Sequence, residues 1–95
     1  RKELTDLHAQ ARSNGAYVLV DEAYSDFVIE EPFVSMIEVV PDLEGILVVN
    51  SLSKNMGMSG WRIGYVMAHD EILRYLLKIN QHVITCAPTV LQQYM

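Results

Sequence analysis

Ile46-Leu-Val-Val49-Asn50-Ser51-Leu52-Ser53-Lys54-Asn55-Met56-Gly57-Met58-Ser59-Gly60-Trp61-Arg62-Ile63-Gly64-Tyr65-Val66-Met67-Ala68 holds two short apolar runs joined by a segment rich in Ser, Gly and Asn. Ile46–Val49 is apolar at consecutive positions, the pattern of a strand covered on both faces. It breaks off at Asn50-Ser51. Leu52–Gly60 reads as a loop and Ile63–Ala68 as the next strand. The loop and its edges carry two hydroxyls (Ser51, Ser53), an amine (Lys54) and a guanidinium (Arg62). Gly60 and Gly64 allow close backbone approach on either side of Arg62, and a guanidinium suits a phosphate or a carboxylate.

The flanking segments extend the same architecture. Lys2–Ser13 reads as an amphipathic helix with Leu4, Leu7 and Ala11 on one face, stopped by Asn14-Gly15. Ala16–Val20 is a second buried-strand pattern and ends in Asp21-Glu22, with Tyr24 three residues beyond Asp21. Ala23–Pro41 is mixed, with a short helix predicted over Val34–Val40; Pro41-Asp42 and Gly45 break the chain again. After the third strand, Asp70 can cap a helix running from Glu71 to about Val83, with Ile72, Leu76, Ile79 and Val83 on one face. Pro88 suits the opening of another helix. The order helix, strand, strand, strand, helix predicts a three-layer α/β/α arrangement. Ligands in such folds sit beyond the carboxyl ends of the parallel strands. Here those ends are Asp21 and Ser51.

Composition bounds the function. The chain has 95 residues, 51% of them apolar, which fits one small folded unit. Its net charge is −5 and its seven basic residues are scattered, so neither nucleic acid nor an anionic membrane is the expected partner. Cys86 is the only cysteine, which suits a reducing compartment and a cytoplasmic location. No signal peptide is visible, and apolar runs such as Ala16–Val20 are far shorter than the roughly 20 residues that span a bilayer. His8, His69 and His82 are widely spaced and suggest no metal site. Cys86 reads as a small packing residue, Glu30-Glu31 as a solvated pair, and Met56 and Met58 as a border to the loop. The chain starts at Arg1, stops at Tyr94-Met95 inside a predicted helix, and has too few helices to cover both faces of its sheet. Residues 1–95 are therefore expected to be part of a larger domain.

Taken singly, the chemical motifs read blandly: a strand-ending acid with a loop aromatic, a solvated lysine, a surface arginine beside a packing tryptophan. Their order and spacing change this. Ser51–Gly64 closely resembles the lysine-attachment motif of the class I and II aminotransferases, fold type I pyridoxal-phosphate enzymes. Asp21-Glu22-Ala23-Tyr24 resembles the family's upstream Asp-x-x-Tyr motif, at about the expected separation. The resemblance implies part of the mixed, mostly parallel sheet of the large domain, with the strand that starts at Arg62 antiparallel to its neighbours. It implies pyridoxal 5′-phosphate as cofactor and amino transfer between an amino acid and a 2-oxo acid. By the same resemblance, Lys54 forms the Schiff base and moves the proton, and Asp21 pairs with the pyridine nitrogen. Tyr24 donates to the ring oxygen. Ser51 and Arg62, assisted by Ser53, hold the phosphate. It further implies a homodimer, with Thr85–Pro88 approaching the partner's site. The family's glycine-rich phosphate turn, its ring-stacking aromatic and an Asn partner for Tyr24 are expected before Arg1. The Arg that grips the substrate carboxylate is expected after Met95.

Three other readings stay open at this level. Related fold type I enzymes use the same residues for carbon–sulfur lysis or decarboxylation. Some transcription regulators carry an aminotransferase-like domain as a cofactor sensor. Ser51-x-x-Lys54 also fits the Ser-x-x-Lys pattern of penicillin-binding proteins and class A β-lactamases. In those the pair lies on a helix, whereas Asn55 and Gly57 argue against a helix here, and the partner motifs Ser-Asp-Asn and Lys-Thr-Gly are missing.

Overall fold

The structure, a computed structural model, describes residues 1–94. Helix α1 spans Lys2–Ser13. Its end follows the expected stop, with Gly15 taking the left-handed conformation at φ +65° while Asn14 stays at φ −99°. Strand β1, Val18–Asp21, starts two residues later than the apolar run suggests, because the Ala16 amide still bonds back to Ala11. The short helix α2 occupies Met36–Val39 inside the predicted window. Strand β2 runs Ile46–Ser51, two residues longer than its apolar core.

Leu52–Gly60, expected to be a loop, instead opens with one helical turn, α3, at Leu52–Asn55. The cause is local. Ser51 is extended and its Oγ accepts from the Ser53 amide at 3.2 Å, capping the turn, while Leu52 is buried beneath it. Gly57, at φ +64°, follows the end of the turn. A 3₁₀ turn at Ser59–Trp61 follows, and Arg62 takes a left-handed φ of 54° that delays strand β3 to Gly64–Ala68. Helix α4 is Asp70–Val83 and helix α5 is Thr89–Tyr94. The cap of α4 is His69, with no side-chain hydrogen bond. Asp70, expected to cap, instead joins Glu71 inside the first turn, where negative charge favours the helix dipole. Pro88 precedes α5, and its carbonyl accepts from Leu91 and Gln92.

The sheet order is β1-β2-β3. β1 and β2 are parallel, with Val18 opposite Ile46 and Asp21 opposite Val49. β3 is antiparallel to β2, with Ser51 opposite Gly64. Successive residues of a strand face opposite sides. Met36 and Val40 pack with Ile46 and Val48 into the buried core, which Leu4, Val18, Val20 and Met67 extend. On the other face Ile72 and Leu76 of α4 lie near Tyr17 and Leu47. That cover is partial: Leu19 is 66% exposed. The slab measures 39 × 36 × 17 Å, a mixed three-stranded sheet with helices against both faces, of which the α4 side is only partly covered. Cys86 is exposed, not a packing residue, because it lies in the irregular segment between α4 and α5.

Candidate active site

The carboxyl ends of β1 and β2 and the start of β3 meet at one end of the sheet. Parallel pairing sets Asp21 beside Val49, and the Glu22 amide continues the ladder by donating to the Val49 carbonyl at 2.8 Å. Antiparallel pairing brings Gly64 to Ser51, and the Leu52 amide donates to the Ile63 carbonyl at 3.2 Å. A Cβ on Gly64 would stand 2.7 Å from the Asn50 carbonyl oxygen, so only glycine permits this strand approach. Topology thus gathers Asp21, Tyr24, Ser51, Ser53, Lys54 and Arg62 at the sheet end where a ligand would lie.

Two pairs of these residues are joined, one through side chains and one through a backbone amide. The Lys54 ammonium lies 5.5 Å from the centroid of the Tyr24 ring, within cation–π range. Tyr24 also packs edge-tilted on Phe27, with centroids 6.0 Å apart. Ser51 and Ser53 are joined by the capping bond. The other two candidates hold to their own loops. Asp21 Oδ1 accepts from the Ala23 amide at 3.0 Å, and Arg62 Nη1 donates to the Ser59 carbonyl at 3.1 Å. Met56 and Met58 line an apolar hollow with Leu52, Trp61, Ile63 and Tyr94, behind the Lys54 turn.

A protein-family model for the class I and II aminotransferases matches residues 1–95. The chain belongs to this family. A (5-formylfuran-3-yl)methyl phosphate transaminase of Methanocaldococcus jannaschii is 39% identical to it over 87 residues, 92% of this chain and 24% of that protein. An aspartate aminotransferase of Sulfolobus acidocaldarius is 37% identical over 93 residues, 97% of this chain and 23% of that protein. The solved structure of an aspartate aminotransferase from Thermotoga maritima superposes with a TM-score of 0.88 at 31% identity. It covers 95% of this chain and 24% of that one. The chain therefore spans about a quarter of the length of these relatives.

Within this aminotransferase-family chain, Lys54 lies on a helical turn, but Ser51 stays extended at its cap as the last residue of β2, so the pair does not lie together on a helix as in the hydrolases. The partner motifs of that class are also absent from the sequence. Two buried polar residues escaped the sequence reading. Glu22 is 5% exposed and Asn50 is 8% exposed. Asn50 Oδ1 accepts from the Ser51 amide at 2.7 Å and, more loosely, from Asn55 Nδ2 at 3.5 Å, bracketing Lys54. The signal for both was strand alternation, which places them on the same side as Val20 and Val48; the consecutive apolar runs masked it. Among the described residues no cluster of His, Cys, Asp and Glu is placed to hold a metal, and no helix is long and apolar enough to cross a membrane.

Proposed function

We propose that these residues are part of the cofactor-binding large domain of a pyridoxal-phosphate-dependent aminotransferase that moves an amino group between an amino acid and a 2-oxo acid. The observation that carries the reading is the meeting of the Lys54 amine and the Tyr24 ring, with Asp21 ending the parallel strand three residues before Tyr24, in a chain of this family. The donor set matches the cofactor's chemistry: an amine for an aldehyde, a carboxylate for a ring nitrogen, a phenol for a ring oxygen, hydroxyls and a guanidinium for a phosphate. Lys54 would hold pyridoxal phosphate through its amine, and the cofactor, when bound, would supply an electron sink for the substrate's α-carbon.

The chain's own residues do the rest. Asp21 commits one oxygen to the Ala23 amide, which fixes its carboxylate and leaves the second oxygen for the ring N–H. Its negative charge favours the protonated nitrogen. Ser51 Oγ accepts from the Ser53 amide, so its own O–H is free to donate to a phosphate oxygen. Arg62 commits one N–H to the Ser59 carbonyl and keeps its remaining donors for the same anion. Lys54, once displaced by substrate, moves the proton at the α-carbon as general base and acid. Tyr24 orients the ring oxygen by donating its O–H. The reading extends to a cytoplasmic homodimer. Thr85, a β-branched residue at φ +74°, lies in the segment proposed to approach the partner's site.

The test is amino transfer by the full-length protein with a panel of amino acids and 2-oxo acids, beside Lys54→Ala. Turnover in the wild type and a loss of several orders of magnitude in the variant are expected. Elimination or decarboxylation without amino transfer would point to another reaction of the same fold. Equal turnover in Lys54→Ala would refute the assignment.

A further inference from the structure

We propose that Glu22 is the positioning residue for Asp21 and Tyr24, acting through a buried tie to the first turn of α2. The role assigned to those two residues rests on the reading above; the tie does not. The Glu22 carboxylate accepts from two donors, one of them shared between its oxygens. Ser35 Oγ donates to its two oxygens at 3.1 and 2.9 Å, and the Met36 amide donates to Oε1 at 2.8 Å. Ser35 is itself held in a capping box, with its Oγ accepting from the Ile37 amide and its own amide donating to Glu38 Oε1, both at 3.3 Å. Met36, the next residue, is 1% exposed in the core against Ile46 and Val48. The far end of the tie is therefore anchored in the buried core.

The near end is the turn that presents the site. The Glu22 amide is bonded to Val49, and its carbonyl accepts from the Ser25 amide at 3.0 Å, closing the turn that contains Ala23 and Tyr24. Phe27 then bonds back to the Tyr24 carbonyl at 3.0 Å. Alternation sends Glu22 to the α2 side and Asp21 to the opposite side. Glu22 thus has no contact with the proposed cofactor position, yet its backbone joins the two residues that flank it there. Without the carboxylate, the buried Met36 N–H and the part-buried Ser35 hydroxyl would lose their partner, and the turn would lose its side-chain hydrogen bonds to the start of α2.

The experiment uses the full-length protein with Glu22→Ala, Glu22→Gln and Ser35→Ala. In the cofactor-free state, amide hydrogen exchange should quicken at Ser25 and Phe27 as well as at Met36 in Glu22→Ala. Glu22→Gln, which keeps one acceptor oxygen for the Met36 amide and turns its new NH₂ donor toward Ser35 Oγ, should stay near wild type. Ser35→Ala should move in the same direction by less, and it serves if Glu22→Ala does not fold. Quickening confined to Met36 would overturn the proposal, since Glu22 would then steady only α2. Binding of added pyridoxal phosphate, followed by visible absorbance, gives the second arm. Glu22→Ala should weaken it about tenfold, and much less in a Tyr24→Phe background, because coupled residues are not additive. Rescue by Glu22→Gln is expected. Independent effects of the two substitutions would also overturn the proposal. If the wild type takes up no cofactor, the functional reading fails, and the exchange arm still decides whether Glu22 holds the turn.

Discussion

Tyr24 shows how much one residue can be asked to do in this site. Its ring faces the Lys54 ammonium while 61% of its surface stays exposed, so its hydroxyl is free to meet a ligand. If that hydroxyl donates to the cofactor's ring oxygen, it stabilises the oxygen's negative charge and so disfavours a proton on the neighbouring nitrogen. Tyr24→Phe removes the bond, and the pH midpoint of the bound cofactor's visible titration should rise. A shift of one unit would correspond to about 1.4 kcal/mol of differential stabilisation. An unchanged or lowered midpoint would mean that Tyr24 does not touch that oxygen. The type and spacing of Asp21, Tyr24, Lys54 and Arg62 could be read from the sequence because they are chemical words in a fixed order. Glu22 and Asn50 could not, because their work is done by burial, and burial depends on which face of a strand a residue takes.

The elements were legible where local chemistry decides them and less so where packing does. Gly15 ends α1 because a left-handed residue is needed there, and the sequence signals it directly. The turn under Lys54 was hidden, since Ser, Asn and Gly favour loops by composition; the Ser51 cap and the burial of Leu52 overrule that preference. The antiparallel course of β3 was expected only through the family resemblance. Pairing direction is set by tertiary contact and leaves no mark on periodicity. The same pairing makes Gly64 a sensitive position. Gly64→Ala should weaken the β2–β3 join by about 1–3 kcal/mol, as overpacking against backbone does. Faster amide exchange across β3 would register it, together with weaker cofactor binding if Arg62 and Ser51 are displaced. Exchange and binding equal to wild type would show that the strands can part at no cost.

At the scale of the whole molecule, the surface is larger than that of a compact unit of this length. The accessible area is 7261 Å², against about 5500 Å² for a folded monomer of this size. The radius of gyration is 14.8 Å, where a compact domain of this length has about 12 Å. The excess lies on the sheet face that carries Leu19 and on the exposed side of α4, which includes Ile79 and Val83. On the proposed reading the rest of a longer chain covers these surfaces; the relatives are about four times the length of these 95 residues. On the same reading, residues 1–95 expressed alone should give no amino transfer, since the Arg expected to grip the substrate is proposed to lie outside them. Turnover like that of a whole aminotransferase would show that they are sufficient. The attachment itself is tested most directly in the full-length protein, by reduction with borohydride in the presence of pyridoxal phosphate and mass mapping of the peptides. The pyridoxyl group should be found on Lys54. Its recovery instead on Lys2 or Lys78, which lie on α1 and α4, or on no lysine of this segment, would contradict the account.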